Sequence, residues 1–195
     1  MAEIKSTMEM VLERAAKMTA ETPPVPEDDH LVRNGMRIAA DFLNEKIKDL
    51  QEELLNQPAE TQVPIRKGMA QTLLRNIVLP RNEDLQETGA IAIKGILLLS
   101  GNSGEISTIC QELQQIIEQY SQHKEQTTQQ LKDALRSQIE QQQTASGQSQ
   151  QGPVNPAMHP QYKEELTKML TSLNNQYNDA MNQRKEMILS RLCLP

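Results

Sequence analysis

Aromatic residues are scarce in this sequence, and tryptophan is absent. The only aromatic rings belong to Phe42, Tyr120, Tyr162 and Tyr177, and valine occurs only 6 times among 195 residues. Strands are enriched in aromatic and β-branched residues, so this composition excludes an all-β fold and disfavours a mixed α/β one. We therefore expect an all-α protein.

Long apolar runs are also missing. The longest, residues 90–99, is interrupted by Lys94 and Gly95, and it is about half the ~20 residues that a membrane helix needs. The N-terminus lacks the basic start and apolar core of a signal peptide. The last three residues, 193–195, place Cys193 one position too late for prenylation. These absences predict a cytoplasmic protein.

No segment of the chain carries a large excess of basic charge, and the most basic part, residues 58–100, has a net charge of only +1. The chain carries 20 Lys and Arg against 26 Asp and Glu, a net charge of −6. Residues 1–57 are the most acidic part, and no stretch contains a basic block. A phosphate backbone or an anionic lipid surface would be repelled overall, so we expect neither nucleic acid nor membrane as a partner.

The two cysteines are far apart, at positions 110 and 193. Cys110 falls on an apolar helical stripe, which is typical of a small core residue. A structural disulfide is not expected in a reducing cytoplasm.

Motifs that carry known chemistry are absent from the sequence. There is no dinucleotide-binding or phosphate-binding glycine loop, no H-E-x-x-H and no nucleophile elbow. The acidic run at 28–30, Asp28-Asp29-His30, is better interpreted as a helix start than as a metal site, because adjacent residues do not converge on one ion. The glycine turn at 101–104 lacks the lysine of a phosphate loop, and neither His123 nor His159 has an identifiable partner. We predict no catalytic, cofactor-binding or metal-ligating residues.

Helix-forming features dominate what is present. Glutamine occurs 23 times, and it is a good helix former. Apolar residues recur every three or four positions, which predicts helices over 3–20, 27–56, 65–79 and 83–100. A proline-rich tether at 22–26 separates the first two. The stretch 90–99 is apolar on most sides, which favours a buried central helix over the competing strand interpretation. Residues 1–100 are thus predicted to form a helical bundle.

The C-terminal half, 101–195, contains two longer helices, predicted over 103–143 and 160–192. Both have apolar heptad positions, and the loop at 144–160 between them is rich in Gly, Ser, Gln and Pro. This pattern predicts a long antiparallel, coiled-coil-like hairpin. Folding about residue 152 would place the polar stretch 121–130 opposite the polar stretch 174–183, and Tyr120 opposite residues 184–188. The polar layer could simply fix the register, or it could be a hinge in a projecting pair of helices.

The opening residues Ala2-Glu3-Ile4-Lys5-Ser6-Thr7, continued by Val11, Glu13 and Arg14, resemble the start of a family of small helical bacterial proteins. Members of that family open with A-E-I-K-S-T and an amphipathic helix carrying V-x-E-[RK]. The family has no assigned activity, so the resemblance implies a bacterial cytoplasmic protein and no particular chemistry.

These observations favour a non-enzymatic interaction or scaffold protein that binds a protein partner or itself through its coiled-coil seams. Two alternatives remain open. One is a small-ligand-binding or metal-binding helical enzyme that uses Asp28, Asp29 and His30 between the first two helices. The other is a peripheral membrane or nucleic-acid-associated protein.

Overall fold

The computed structural model describes residues 27–146 and 155–192. Within these ranges every regular element is a helix, which confirms the predicted all-α fold. The predicted first helix and the proline-rich tether lie outside the described residues. Two one-turn 3₁₀ helices span Ala59–Thr61 and Pro156–Met158. The α-helices are α1 (Glu27–Leu43), α2 (Leu50–Leu55), α3 (Gln62–Asn76), α4 (Glu83–Leu99), α5 (Gly104–Ser146) and α6 (Pro160–Leu192).

The single helix predicted over 27–56 is two helices, so that prediction was wrong in its middle. After α1 the backbone turns at Glu45, which has a left-handed φ of 59°. Asp49 then caps α2, because its Oδ1 accepts hydrogen bonds from the backbone N–H groups of Gln51 and Glu52 at 2.8 and 3.3 Å. A side chain that satisfies the first N–H groups of a new helix favours a restart over continuation.

One hydrophobic core cluster includes residues from all six helices. Helix α4 is buried along much of its length, with Ala92, Ile93 and Ile96 inside, so the strand interpretation of residues 90–99 was wrong. The cluster also includes Leu113 of α5 and Ile188 of α6. The core therefore runs across residue 100, where the sequence suggested a domain boundary.

Helices α5 and α6 contact each other in opposite directions. Glu105 pairs with Arg191 and Glu112 pairs with Arg184, each with a distance of 3.0 Å between Nε and a carboxylate oxygen. Residue numbers thus fall along α6 as they rise along α5. The hydroxyl of Tyr120 continues this order by donating to Asn174.

The register of these helices differs from the one expected for a fold about residue 152. Tyr120 lies against Asn174 and Tyr177 rather than Arg184, a shift of about one heptad. The reason is an asymmetric connection: α5 continues to Ser146, and the 3₁₀ turn at Pro156–Met158 packs against α5 before α6 begins at Pro160. A residue that precedes proline avoids helical geometry, and His159 is extended. A one-heptad shift keeps the seam positions facing each other.

Candidate functional site

Three rings meet where the α5–α6 pair leaves the core cluster. The rings of Tyr120 and Tyr177 pack edge to face with centroids 5.5 Å apart, and Tyr177 packs in the same manner on His123 at 5.8 Å. The Tyr177 hydroxyl is 2.6 Å from Nδ1 of His123. Edge-to-face ring pairs add stabilisation beyond their buried area, so this cluster fastens α5 to α6 at one height.

Tyr120 is the buried member of this cluster, with 3% of its surface exposed. Its hydroxyl donates a 2.9 Å hydrogen bond to Oδ1 of Asn174. Burial raises the pKa of Tyr120, and the nearby positive charge of Arg81 partly opposes that rise. The phenol is therefore neutral at physiological pH, because its ordinary pKa of 10.0 is already high, and it acts as a hydrogen-bonding group.

A cleft of about 320 Å³ opens beside Tyr120. We call it the Tyr120 cleft. It lies between the α3–α4 connection, the start of α4, and the facing sides of α5 and α6. The lining residues are Val78, Leu79, Arg81, Leu85, Tyr120, Asn174 and Asn178.

The lining divides into an apolar wall and a polar end. Val78, Leu79 and Leu85 supply the apolar wall, and among the described residues no aspartate or glutamate lines the cleft. At the polar end, Arg81 makes no ion pair with any part of the chain that the structure describes. The Asn174 oxygen accepts from Tyr120, which leaves its NH₂ group as a donor. The cleft thus combines an aliphatic surface with an excess of hydrogen-bond donors.

A second feature is the part of α5 and α6 beyond the ring cluster. We call residues 121–146 and 160–172 the arm. Among its described side chains, none that is apolar belongs to the main core cluster, and Leu135 is the only buried hydrophobic one. Met169 is 36% exposed. The remaining seam residues are half-buried, namely Leu131, Ile139, Tyr162, Leu166 and Leu170.

The acidic run that sequence reasoning considered as a metal site is at the start of α1. Asp28, Asp29 and His30 are all exposed, and Asp29 lies 3.7 Å from the guanidinium of Arg33 one turn later. No group of three or more potential metal ligands occurs in residues 27–146 and 155–192. The structure therefore does not bring these three residues together as a site.

The glycine turn at 101–104 closes helix α4. Gly101 has a left-handed φ of 61°, and its N–H donates to the carbonyl of Leu98, while the N–H of Asn102 donates to the carbonyl of Leu97. This is the Schellman arrangement of a helix C-terminus. Asn102 also has a left-handed φ, of 59°, and belongs to the end of α4.

The remaining candidates have structural roles. Cys110 is a free thiol within the core, and burial raises its pKa to about 11. His159 accepts a hydrogen bond from the backbone N–H of Gln161 at the start of α6.

Sequence reasoning missed the residues that the tertiary structure brings together. His123 has a partner in Tyr177, and Arg81 lies near Tyr120, although no motif links any of them. The signal that could have found the ring cluster is the heptad spacing itself. Tyr120 and Tyr177 both occupy seam positions, but a register error of one heptad separated them in the expected pairing.

A comparison with protein families finds one family that matches most of the chain. Residues 51–190 match a family of unknown function, DUF6657. The chain belongs to the DUF6657 family. The match contains the arm and every residue that lines the Tyr120 cleft, whereas α1 lies before it. A family without an assigned activity was predicted, and this is confirmed, although the motif at residues 2–14 lies outside both the match and the described residues.

Comparisons with curated proteins and with solved structures identify no relative of this DUF6657 member. No curated protein and no solved structure matches the chain. Among the helices that the structure describes, none has both the length and the apolar character required to cross a bilayer.

Proposed function

We propose that this DUF6657 protein is a non-enzymatic interaction protein whose arm packs against the arm of a second copy. The observation that carries this proposal is the incomplete burial of the arm seam, in which Leu135 is buried while the other apolar seam residues are half-buried or, at Met169, exposed. A pair of helices covers only one flank of each apolar stripe. A second pair would cover the other flank and produce a four-helix bundle.

The gain from such packing is substantial relative to the stability of a small protein. Full burial of one leucine side chain is worth about 1.5–3 kcal/mol, and Leu131, Leu166 and Leu170 each have part of their surface left to bury. An identical arm offers the same stripe, so a two-fold axis would match each apolar side chain with an equivalent surface.

Charge favours a second copy as the partner. The chain as a whole has a net charge of −6, but the arm is neutral, with five basic and five acidic side chains. Two arms can therefore approach without the repulsion that acts between the acidic remainders of the molecules. The arm charges are Lys124, Lys132, Arg136, Lys163 and Lys168 against Glu125, Asp133, Glu140, Glu164 and Glu165.

Light scattering of the full chain across a range of concentrations tests this proposal. We expect the mass to rise from 22.0 kDa toward twice that value. Leu170→Gln with Met169→Gln should weaken the dimer by tenfold or more, because burial of each apolar side chain at the interface contributes about 1 kcal/mol or more. The matched control is Ser172→Gln, an exposed position of the same helix. A strict monomer at every concentration would remove the proposal, and circular dichroism would confirm that each variant stays helical.

We further propose that the protein acts in the cytoplasm and that neither nucleic acid nor lipid is a partner. The net charge of −6 supports this part, because an anionic phosphate backbone or bilayer surface would repel the chain overall. Co-sedimentation with DNA and with anionic vesicles at low salt should leave the protein in the supernatant. Pelleting with either one would contradict this part.

A further inference from the structure

We infer that the Tyr120 cleft binds a small carboxylate that has an aliphatic body. The cleft is separate from the apolar seam of the arm, so this inference does not depend on self-association. It rests on the size of the cleft, on the kinds of groups that line it, and on the partners those groups already have.

The size of the cleft sets the size of the ligand. A volume of about 320 Å³ is at the lower end of the range of small-molecule sites, roughly 300–1,000 Å³. The cleft is too small for a helix of a partner protein and suits a molecule the size of a short-chain acid.

The polar end of the cleft selects for a negative charge. Arg81 is exposed, and its guanidinium makes no ion pair within the described part of the chain, while Asn174 and Asn178 add amide donors. One acceptor of the lining, Oδ1 of Asn174, is already used by the Tyr120 hydroxyl. A planar guanidinium matches the two oxygens of a carboxylate in a fork-to-fork geometry.

The opposite wall selects for an aliphatic body. Leu79 is buried, and Val78 and Leu85 are half-buried, so an apolar chain placed there would cover surface that water now contacts. Inorganic phosphate has no such body, and one arginine gives it little advantage over a carboxylate. The lining therefore favours an aliphatic carboxylate over phosphate.

Calorimetric titration of the full chain with hexanoate at millimolar concentrations tests the inference. Acetate, 1-hexanol and inorganic phosphate serve as comparison ligands. We expect saturable one-to-one binding of hexanoate, and at least tenfold weaker binding of the other three. Absence of saturable hexanoate binding would overturn the inference. If 1-hexanol bound as tightly as hexanoate, the carboxylate charge would have no role in binding. If phosphate bound as tightly, the cleft would not be a site for aliphatic carboxylates.

Two variants separate the two ends of the cleft. Arg81→Gln should weaken hexanoate binding by tenfold or more, whereas Arg75→Gln, an exposed arginine that does not line the cleft, should leave it unchanged. Leu85→Asn should reduce the affinity for hexanoate toward that for acetate. Equal affinities of the wild type and Arg81→Gln would contradict the inference. Arg81 is on the surface, so this result does not depend on a variant that fails to fold.

The proposals of dimer formation and of ligand binding can be tested separately. Arg81→Gln should leave the light-scattering mass unchanged, and Leu170→Gln with Met169→Gln should leave hexanoate binding unchanged, because these residues lie in different places. Loss of both properties in either variant would show that the two sites are not distinct.

Discussion

Gly35 of α1 and Gly68 of α3 make a reciprocal contact, in which each lies against the backbone of the other helix. A Cβ atom built on Gly35 would be 2.0 Å from the carbonyl oxygen of Ile65, and one built on Gly68 would be 2.0 Å from that of Val32. Each of these carbonyls lies three residues before the glycine of its own helix. The two backbones can pack this closely because neither position carries a side chain.

Substitution of either glycine by alanine should therefore strongly destabilise the folded protein. The atoms that a new Cβ meets are backbone atoms and cannot rotate away, so Gly35→Ala or Gly68→Ala should cost about 3 kcal/mol, at the upper end of the range for overpacking. Urea denaturation followed by circular dichroism measures this cost.

Two other glycines give graded controls for that measurement. A Cβ on Gly95 meets the ends of Leu73 and Phe42 at 2.9 Å, and these side chains can shift, so Gly95→Ala should cost less. A Cβ atom built on Gly89, which also lies in α4, would have no atom of another part of the structure within 4 Å. Gly89→Ala should stabilise the protein by up to ~1 kcal/mol through helix propensity. Similar effects of all four substitutions would contradict the close backbone contact.

The hydrogen bond between Tyr120 and Asn174 should contribute measurably to stability. Tyr120→Phe removes the donor and leaves the half-buried Asn174 oxygen without it, at a cost of about 1–2 kcal/mol. Tyr162 is half-buried in the arm, and its hydroxyl makes no hydrogen bond with described residues, so Tyr162→Phe should change stability by less than ~0.5 kcal/mol. Thermal denaturation compares the two variants. Equal effects would contradict a specific role for the Tyr120 hydroxyl.

The buried thiol of Cys110 should make stability fall at high pH. Burial raises its pKa to about 11 in the folded protein, from an ordinary value of 9.0. Between these values the unfolded chain releases the proton first, so rising pH favours unfolding. A pKa difference is worth about 1.4 kcal/mol per unit, and we expect a loss of about 2–3 kcal/mol between pH 9 and pH 11.

Urea denaturation at several pH values measures that loss in Cys193→Ser, a variant with one thiol. The additional substitution Cys110→Ala should abolish the Cys110 contribution. Comparison of variants is needed because burial lowers the pKa of Lys185, which acts in the opposite direction. In a separate experiment, a thiol reagent at pH 8 should modify the buried Cys110 only as the protein unfolds. A cysteine introduced at exposed Gln111, in a chain without the natural thiols, should react at once.

The pairing of Glu112 with Arg184 tests the register of α5 and α6. Both side chains are partly exposed, at 43% and 33%, so the pair should couple by about 0.5 kcal/mol, as surface ion pairs do. A double-mutant cycle with Glu112→Gln and Arg184→Gln measures this coupling. The swapped variant Glu112→Arg with Arg184→Glu should recover most of the stability that either reversal alone loses. A swapped variant less stable than either single reversal would contradict the observed register.

Much of the helical structure was predictable from spacing alone. The predicted bounds of α4 and α6 agree with the structure to within a residue, because Asn82 and Gly101 flank α4 and Pro160 begins α6. The break between α1 and α2 was not predictable from apolar spacing, which continues through Ile47. Capping by Asp49 decided that break, since local hydrogen bonds can outweigh a weak stripe.

The candidate site could not be predicted from the sequence to the same extent. The apolar positions of α5 and α6 repeat every heptad, so the pattern allows several registers that differ by seven residues. Sliding by one heptad preserves the seam but changes which polar residues meet. His123 and Tyr177 are partners in the observed register, and nothing in their local sequences distinguishes it from its neighbours.

By itself, the sequence determined that this chain forms helices, where most of them begin and end, and which faces are apolar. These properties depend on residues within a few positions of each other, where capping, proline and periodicity act. Only the tertiary structure decided that Arg81 lies near Tyr120, that Tyr120 meets Asn174, and that Gly35 packs on α3. Such contacts join residues distant along the chain, and they follow from how the helices fit together in three dimensions.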